Sequence, residues 1–271
     1  MNVNKLSVVM SVYISDSPIY FIDAVNSLLN QTRLPDEIII IADGPLNEEL
    51  DTAFNSLKNS NLIKLIKLKK NCGLALSRKK AISRTSFDII AVMDSDDICL
   101  PDRFERQIKL IEHGEAQVVG GWIEEFYNKP KDKGKIRNTP VGYEEILSFG
   151  KWRNPINHVT LMFKKDAYES VDGYSSLRHS EDWDMISRML VNGIIVKNIS
   201  EVLVHVRAGD EMIKRRRRIS QFKGEIKLFF RMYMIGYINI FHLVCNILIR
   251  VVLRILPRII TKFTYNSFLR K

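Results

Sequence analysis

The first hundred residues alternate between short, almost wholly apolar runs and longer mixed stretches, and that alternation predicts the architecture. "LSVVMSVY" (6–13), "DEIIIIADG" (36–44), "LIKLIKL" (62–68) and "FDIIAVMD" (87–94) have strand length. Their apolar continuity is that of strands buried on both faces. Between them, Ser17-Pro18 supplies an N-cap and a first-turn proline for a helix through Asn30, a polar helix fits 46–58, and "GLALSRKKAISR" (73–84) reads as a third. The repeated strand-helix order predicts an α/β fold with a mostly parallel central sheet and helices on both faces. Ligands of such sheets bind beyond the carboxyl ends of the strands. Val12-Tyr13, Asp43-Gly44, Asn71 to Gly73 and Asp94 to Asp97 all fall there.

The second half is less regular. "AQVVGGWIEEFY" (116–127) and "HVTLMFKK" (158–165) read as further strands, and "NKPKDKGKIRNTP" (128–140) has the composition of a mobile loop. "SEDWDMISRMLVNG" (180–193) predicts a helix with Ser180 as N-cap and Gly193 as its stop.

Chemistry enters with "MDSDDICLPDRF" (93–104), where Asp94, Asp96 and Asp97 crowd the end of a buried strand. Three carboxylates there need positive compensation, because desolvating even one costs about several kcal/mol. Arg78, Arg103 or Arg106 is one source of that charge. A hard divalent cation is another, held by one or two carboxylates with substrate phosphates completing its shell. Asp97 reads as a structural residue that orients Arg103 or caps the helix beginning near Pro101.

Taken in order, "SVVMSVY", "PDEIIIIADG", "NCGLALSRKKAI", "MDSDDICLPDRFERQ" and "SEDWDM" resemble the motifs of glycosyltransferase family 2, over roughly residues 5–207. The resemblance implies the GT-A nucleotide-sugar-binding fold, a UDP-sugar donor, Mn²⁺ or Mg²⁺, and inverting displacement at the anomeric carbon. It implies that Val12 and Tyr13 border the uridine pocket and that Asp43 accepts a hydrogen bond from uracil. Asn71, Gly73 and Arg78 would flank base and diphosphate, Asp94 with Ser95 would meet the ribose, and Asp96 the metal. Asp182, with Glu181 beside it, matches the general base; a helix's first turn suits an ionised carboxylate. Trp183, Asn157 and His158 are the acceptor-side candidates, each with a packing role as the alternative. Many family members carry a metal-binding histidine two residues after an arginine near the end of the domain. Here Arg207, a candidate diphosphate ligand, is followed by Ala208 and Gly209 instead, and His205 lies two residues upstream.

The net charge of +10 belongs to the tail: residues 205–271 hold 15 Lys+Arg against 3 Asp+Glu, whereas residues 1–204 hold 26 against 28. Met232 to Ile249 is an eighteen-residue run without a charged residue, near the lower limit for a membrane span, but punctuated by Asn239, His242 and Asn246. Arg250, Arg254, Arg258 and Lys262 then recur every four residues beside apolar positions, with Pro257 dividing the helix. This pattern predicts a basic amphipathic membrane-association region over 213–271, after a catalytic domain over 1–212 with a nucleotide-binding half (1–100) and an acceptor half (101–212). Packing on the catalytic domain, or a homodimer contact, is the alternative. Nucleic-acid binding would leave the apolar run unexplained.

Three cysteines without a C-x-x-C pair, and no signal-peptide cleavage site, suit a reducing, cytosolic setting; together with the basic tail and the resemblance, the expected place is the cytoplasmic face of the inner membrane. The resemblance extends to bacterial enzymes of O-antigen or capsule synthesis, implying transfer of glucose or galactose, in β linkage, from a UDP-hexose to an N-acetylhexosamine on undecaprenyl diphosphate. A sugar-phosphate nucleotidyltransferase would need a glycine-rich basic loop that "SVVMSVYISDS" lacks. A non-catalytic membrane-surface binding protein is the other rival.

Overall fold

The computed structural model describes residues 4–127, 129–132, 134–177, 179–208 and 219–255. The basic run 214–218 and the cationic positions Arg258 and Lys262 lie outside these residues.

The apolar runs become β1 (Leu6–Val12), β2 (Glu37–Ala42), β3 (Ile63–Lys67) and β4 (Ile89–Asp94). The helices between them are α1 (Pro18–Leu29), α2 (Glu48–Ser56) and α3 (Leu74–Ile82). Every residue of β1 and β2 is buried, which is why these strands read as unbroken apolar runs rather than alternating ones. α1 starts as predicted, with Ser17 accepting from the Tyr20 amide and proline in the first turn. Strands pair in parallel in the order β3-β2-β1-β4. The order reverses between β1 and β4, opening a crevice at their carboxyl ends. Ser11 of β1 lies in register with Asp94 of β4 at its rim.

Beyond β4 the sheet continues through β8 (Met162–Lys164), β6 (Val118–Phe126), β9 (Val196–Arg207) and β5 (Ile98–Cys99), with β7 (Ile136–Arg137) paired to β6. β6 and β9 run parallel with irregular register around Trp122. β5 returns antiparallel to the end of β9, matching Ile98 with His205. The acidic turn at 94–97 is therefore tethered at both ends, by β4 and by β5.

Helices α4 (Arg103–Glu112), α5 (Tyr143–Phe149), α6 (Lys165–Glu169) and α7 (Glu181–Val191) complete this part of the chain. Three local expectations change. The strand foreseen from 158 begins at Met162, because residues 158–160 form a 3₁₀ turn in which the Thr160 amide and hydroxyl both bond the Asn157 carbonyl. Part of the segment read as loop, Ile136–Arg137, pairs with β6. Ser180 precedes α7 but makes no side-chain cap, since it sits in the left-handed region at φ 96°.

The uncharged run from Met232 is not one helix. It is split into α8 (Ile219–Met234) and α9 (Ile240–Ile255) at Gly236, whose φ of +76° only glycine adopts without strain. No described helix is long and apolar enough to cross a membrane. The polar residues of the run hold the hairpin in place. Asn239 caps α9 through the His242 amide at 3.0 Å, Asn246 is buried and donates to the Lys151 carbonyl at 3.0 Å, and Tyr237 donates to the Leu147 carbonyl at 2.9 Å. Leu228, Phe229, Met232, Tyr237, Ile238 and Leu243 join Trp183 and Met185 in a single hydrophobic cluster. One face of the described part of the tail therefore packs against α7 and residues 147–151.

Candidate active site

The site is assembled from the ends of β1, β2 and β4 on one side and the start of α7 on the other. Asp43, immediately after β2, is 4% exposed. Its carboxylate accepts from the Cys72 amide at 2.8 Å and the Gly73 amide at 2.9 Å, while Asn71 donates its side-chain amide to the Asp43 carbonyl at 3.1 Å. Gly44 permits this close approach, since a Cβ there would come within 2.6 Å of the Asn71 nitrogen. Asp43 and Asn71, expected as nucleotide contacts, thereby shape the loop between β3 and α3. A carboxylate retains acceptor capacity after two such bonds.

Val12 is fully buried and Tyr13, directly after it, is 42% exposed at the strand end. The Tyr13 amide and the Ser95 hydroxyl both donate to Asp16, at 3.0 and 2.7 Å, joining the loops after β1 and β4. Asp94 pairs with Arg78 of α3, a nearly fully buried guanidinium that also lies 4.0 Å from Glu181. Arg78 therefore bridges the turn after β4 and the start of α7. The Asp94 side chain is one-third exposed, so solvent screens part of this pair.

Asp96 is half-buried and Asp97 buried, with Asp97 accepting from the Arg207 backbone amide at 2.9 Å. Burial, reinforced by the charges of Asp96 and Asp94, raises the Asp97 carboxyl well above the usual carboxylate range. Neither expected role of Asp97 is seen. Arg103 is fully buried without reaching it, donating instead to Gln107 at 2.9 Å and the Val92 carbonyl at 2.9 Å, and Asp102 is the residue preceding α4. This crowding of carboxylates, with one half-exposed at the turn, fits a hard cation chemically. Among the described residues no three His, Cys, Asp or Glu side chains make a complete site, so substrate phosphates and water would finish the shell.

His205 is turned to other work. Its Nδ1 lies 3.1 Å from Glu124, its cross-strand neighbour, and its ring meets Phe126 edge-on. Burial lowers its pKa, against the opposing pull of Glu124. Arg207, foreseen as a diphosphate ligand, ion-pairs with Asp23 at 2.9 Å and stacks over Tyr20 at 3.9 Å.

Across the crevice, Asp182 accepts from the Asn154 side-chain amide at 2.7 Å in the first turn of α7. His179 and Ser180, just ahead, both adopt positive φ, of 65° and 96°. Consecutive left-handed residues store strain and are retained where the surrounding structure demands them, as at active sites. Burial raises the carboxyls of Asp182 and Glu181; their mutual proximity adds to the effect on Glu181, and Arg78 opposes it for both. His158 contacts the Tyr174 hydroxyl at 2.7 Å. Burial and then the charges of Arg78 and Arg103 hold it well below the usual histidine range, so the ring is neutral at pH 7. Asn154 and Tyr174 are the residues that sequence reasoning missed. Asn154 lies three residues before Asn157, in the segment that supplies two of the acceptor-side candidates.

Two acceptor candidates serve the framework instead. Trp183 is 6% exposed, donates its indole N–H to the Gly150 carbonyl at 2.8 Å and packs edge-on against Phe229. It supports α8 rather than offering a face to a sugar. Asn157 is buried, and its amide donates to the Gly121 carbonyl at 2.8 Å and the Arg137 carbonyl at 3.2 Å.

The chain matches known proteins over most of its length. The Glycosyl transferase family 2 profile covers residues 7–172. The chain is 35% identical to an uncharacterized glycosyltransferase of Haemophilus influenzae, over 98% of this chain and 100% of that protein. It is also 35% identical to the Escherichia coli UDP-Gal:alpha-D-GlcNAc-diphosphoundecaprenol beta-1,3-galactosyltransferase, over 98% and 97% of the two chains. In fold it resembles Staphylococcus aureus TarS 1–349 solved with UDP-GlcNAc, with a TM-score of 0.68 at 16% identity, covering 91% of this chain and 72% of that one. A mostly parallel sheet with its polar residues at the strand ends, this neighbour's GT-A architecture and these relatives lead to one statement: the chain belongs to glycosyltransferase family 2.

Proposed function

We propose that this glycosyltransferase is an inverting, Mn²⁺- or Mg²⁺-assisted hexosyltransferase. It moves glucose or galactose from a UDP-hexose, in β linkage, to an N-acetylhexosamine carried on undecaprenyl diphosphate, during assembly of an O-antigen or capsule repeat unit. The observation that carries the reading is Asp182, held by Asn154 in the first turn of α7, a helix start that Arg78 links through Glu181 to Asp94. The printed activity of the Escherichia coli relative supplies the substrate class.

In this reading Val12, Tyr13 and Asp43 border the nucleoside, Asp94 and Ser95 hold the ribose, and Gly73 with the start of α3 approaches the diphosphate. Asp96 would hold the cation, which when bound withdraws charge from the departing diphosphate. Asp182 takes the proton of the acceptor hydroxyl. The hydroxyl oxygen bonds the anomeric carbon from the face opposite the diphosphate, the carbon–phosphate-oxygen bond breaks, UDP leaves, and the α-configured donor yields a β-glycoside. Glu181 and Arg78 set the electrostatics of the base.

Residues 213–271 serve as the region that meets the inner membrane surface. Among the described residues the support is a stripe of exposed apolar side chains along α9 at every fourth position, Ile240, Val244, Leu248 and Val252, flanked by Phe241 and Ile249. Such a face suits interfacial rather than spanning contact.

The test is a panel of radiolabelled UDP-sugars with a synthetic N-acetylhexosamine diphosphate lipid. Transfer of one hexose by the parent, and none by Asp182→Asn with UDP binding intact, is expected. Failure of every UDP-hexose to transfer would overturn the proposal.

A further inference from the structure

Between the loop that leads into α7 and the outer face of α8 runs an open groove of about 590 Å³, lined on one side by Leu177 and His179 and on the other by Lys223, Lys227, Phe230 and Arg231. This lies within the usual size range of ligand pockets, about 300–1,000 Å³. Apart from His179, which precedes α7, none of these residues belongs to the site described above. The charge balance of the lining is one-sided, because no described residue lining it is a carboxylate. Arg231 is neutralised by Asp184 at 2.9 Å, but Lys223 and Lys227 are exposed on α8 one turn apart. The acid of α8, Glu225, faces away from them, toward Arg254 at 3.0 Å and Arg250 at 3.8 Å. Spacing of i and i+4 puts the two ammonium groups on one helix face, where they can meet neighbouring anionic groups together.

The groove changes character along its length. Phe230, 51% exposed, belongs both to its lining and to an exposed apolar tip formed with Tyr233 (40%) and Met234 (79%). A cationic stretch that runs into an apolar one is complementary to an amphiphile with an anionic head. The opposite wall carries His179, three residues before Asp182, a distance of at most about 10 Å of extended chain. The groove wall and the proposed base are therefore neighbours along the chain.

We propose that this groove seats the diphosphate of the lipid-linked acceptor, with Lys223 and Lys227 pairing with its phosphates and Phe230 contacting the first apolar units of the chain. The inference rests on the reading that the acceptor is a lipid diphosphate. It assigns the acceptor's charge to α8, whereas Arg207 is engaged with Asp23 and Tyr20.

The test compares the full-length parent with Lys223→Ala/Lys227→Ala and Lys223→Arg/Lys227→Arg, measuring farnesyl diphosphate binding with UDP saturating the donor site. The alanine pair is expected to weaken binding about tenfold or more, as loss of charge-assisted bonds predicts, and the arginine pair to retain it. In transfer assays in detergent the alanine pair should raise KM for the diphosphate acceptor by a similar factor, with KM for the UDP-sugar unchanged. Equal farnesyl diphosphate binding by parent and alanine pair would overturn the proposal. So would an equal KM rise toward an alkyl glycoside lacking phosphate. Loss confined to sedimentation with anionic phospholipid vesicles, with acceptor KM unchanged, would also overturn it and assign the groove to bulk lipid head groups. A parent that transfers no sugar to any lipid diphosphate defeats the functional reading instead, so the two failures are distinguishable.

Discussion

The proposed donor side and the proposed acceptor side of the crevice are built differently. On the donor side the polar residues stand at the ends of buried parallel strands, in loops of a few residues, and their carboxylates point where the sheet ends: Asp43, Asp94, Asp96 and Asp97 all follow this rule. On the acceptor side the side chains that look functional in sequence are drawn into the framework. Trp183 bonds Gly150 and packs on Phe229, and Asn157 ties down β6 and β7. A carboxylate is buried only with partners, and at the strand ends Asp43 and Asp97 find them in the backbone amides of neighbouring loops and strands. A tryptophan or an asparagine gains from burial once a backbone partner is available, and that partner is set by remote packing.

The contrast can be broken most forcefully at Asp182. Asp182→Asn should lower kcat by about 10²–10⁴-fold, the usual contribution of a general base, with UDP affinity unchanged. Transfer kinetics beside UDP titration would show this, and a matching loss of UDP affinity would instead place Asp182 on the donor side.

Next in size is the link between the two halves of the acceptor side. Asp184 is 1% exposed and pairs with Arg188 at 3.0 Å and Arg231 at 2.9 Å, joining α7 to α8. Asp184→Ala should destabilise the fold by about 3 kcal/mol, because it leaves buried cationic charge without its partner. Arg231, whose side chain is 42% exposed, contributes less to that figure than Arg188. Denaturant unfolding measures the loss.

Asn154→Ala should reduce kcat roughly tenfold by loosening the base, on the scale of one lost hydrogen bond to a charged group, about 1.5 kcal/mol. Donor KM should stay constant. An unchanged kcat would show that α7 alone holds Asp182.

The pH profile sharpens the electrostatic part. Because burial raises the Asp182 and Glu181 carboxyls, activity should fall as pH drops through a pKa above the usual carboxylate range, about 3.9–4.3. Arg78 favours their charged forms, so Arg78→Met should shift that acid limb to higher pH. A shift to lower pH would contradict the geometry. The smallest effect is expected from Trp183→Phe, which keeps the aromatic packing and loses one hydrogen bond, about 1 kcal/mol of stability. Acceptor KM should not change, whereas a face that stacked on a sugar would change it.

The alternation of apolar runs carried the strands, the helices of the first half and the crevice at their ends into view, because local burial on both faces leaves a local signature. The ordered motifs carried the site carboxylates. What lay hidden depends on contacts distant in sequence: Arg78 meeting Glu181, Asn154 meeting Asp182, and the Arg207 side chain turned to Asp23 while its amide holds Asp97. The tail shows the same limit. Its uncharged run reads as one long apolar segment, yet Gly236 folds it back and Asn246 reaches the Lys151 carbonyl, which no periodicity announces.

The central claim is a single-displacement transfer in which Asp182 and the Asp94–Asp97 turn act from opposite faces of the sugar. The anomeric configuration of the product, determined by NMR after transfer from an α-configured UDP-hexose to an N-acetylhexosamine diphosphate lipid, tests it most directly. A β-glycoside is predicted; an α-glycoside would contradict the account.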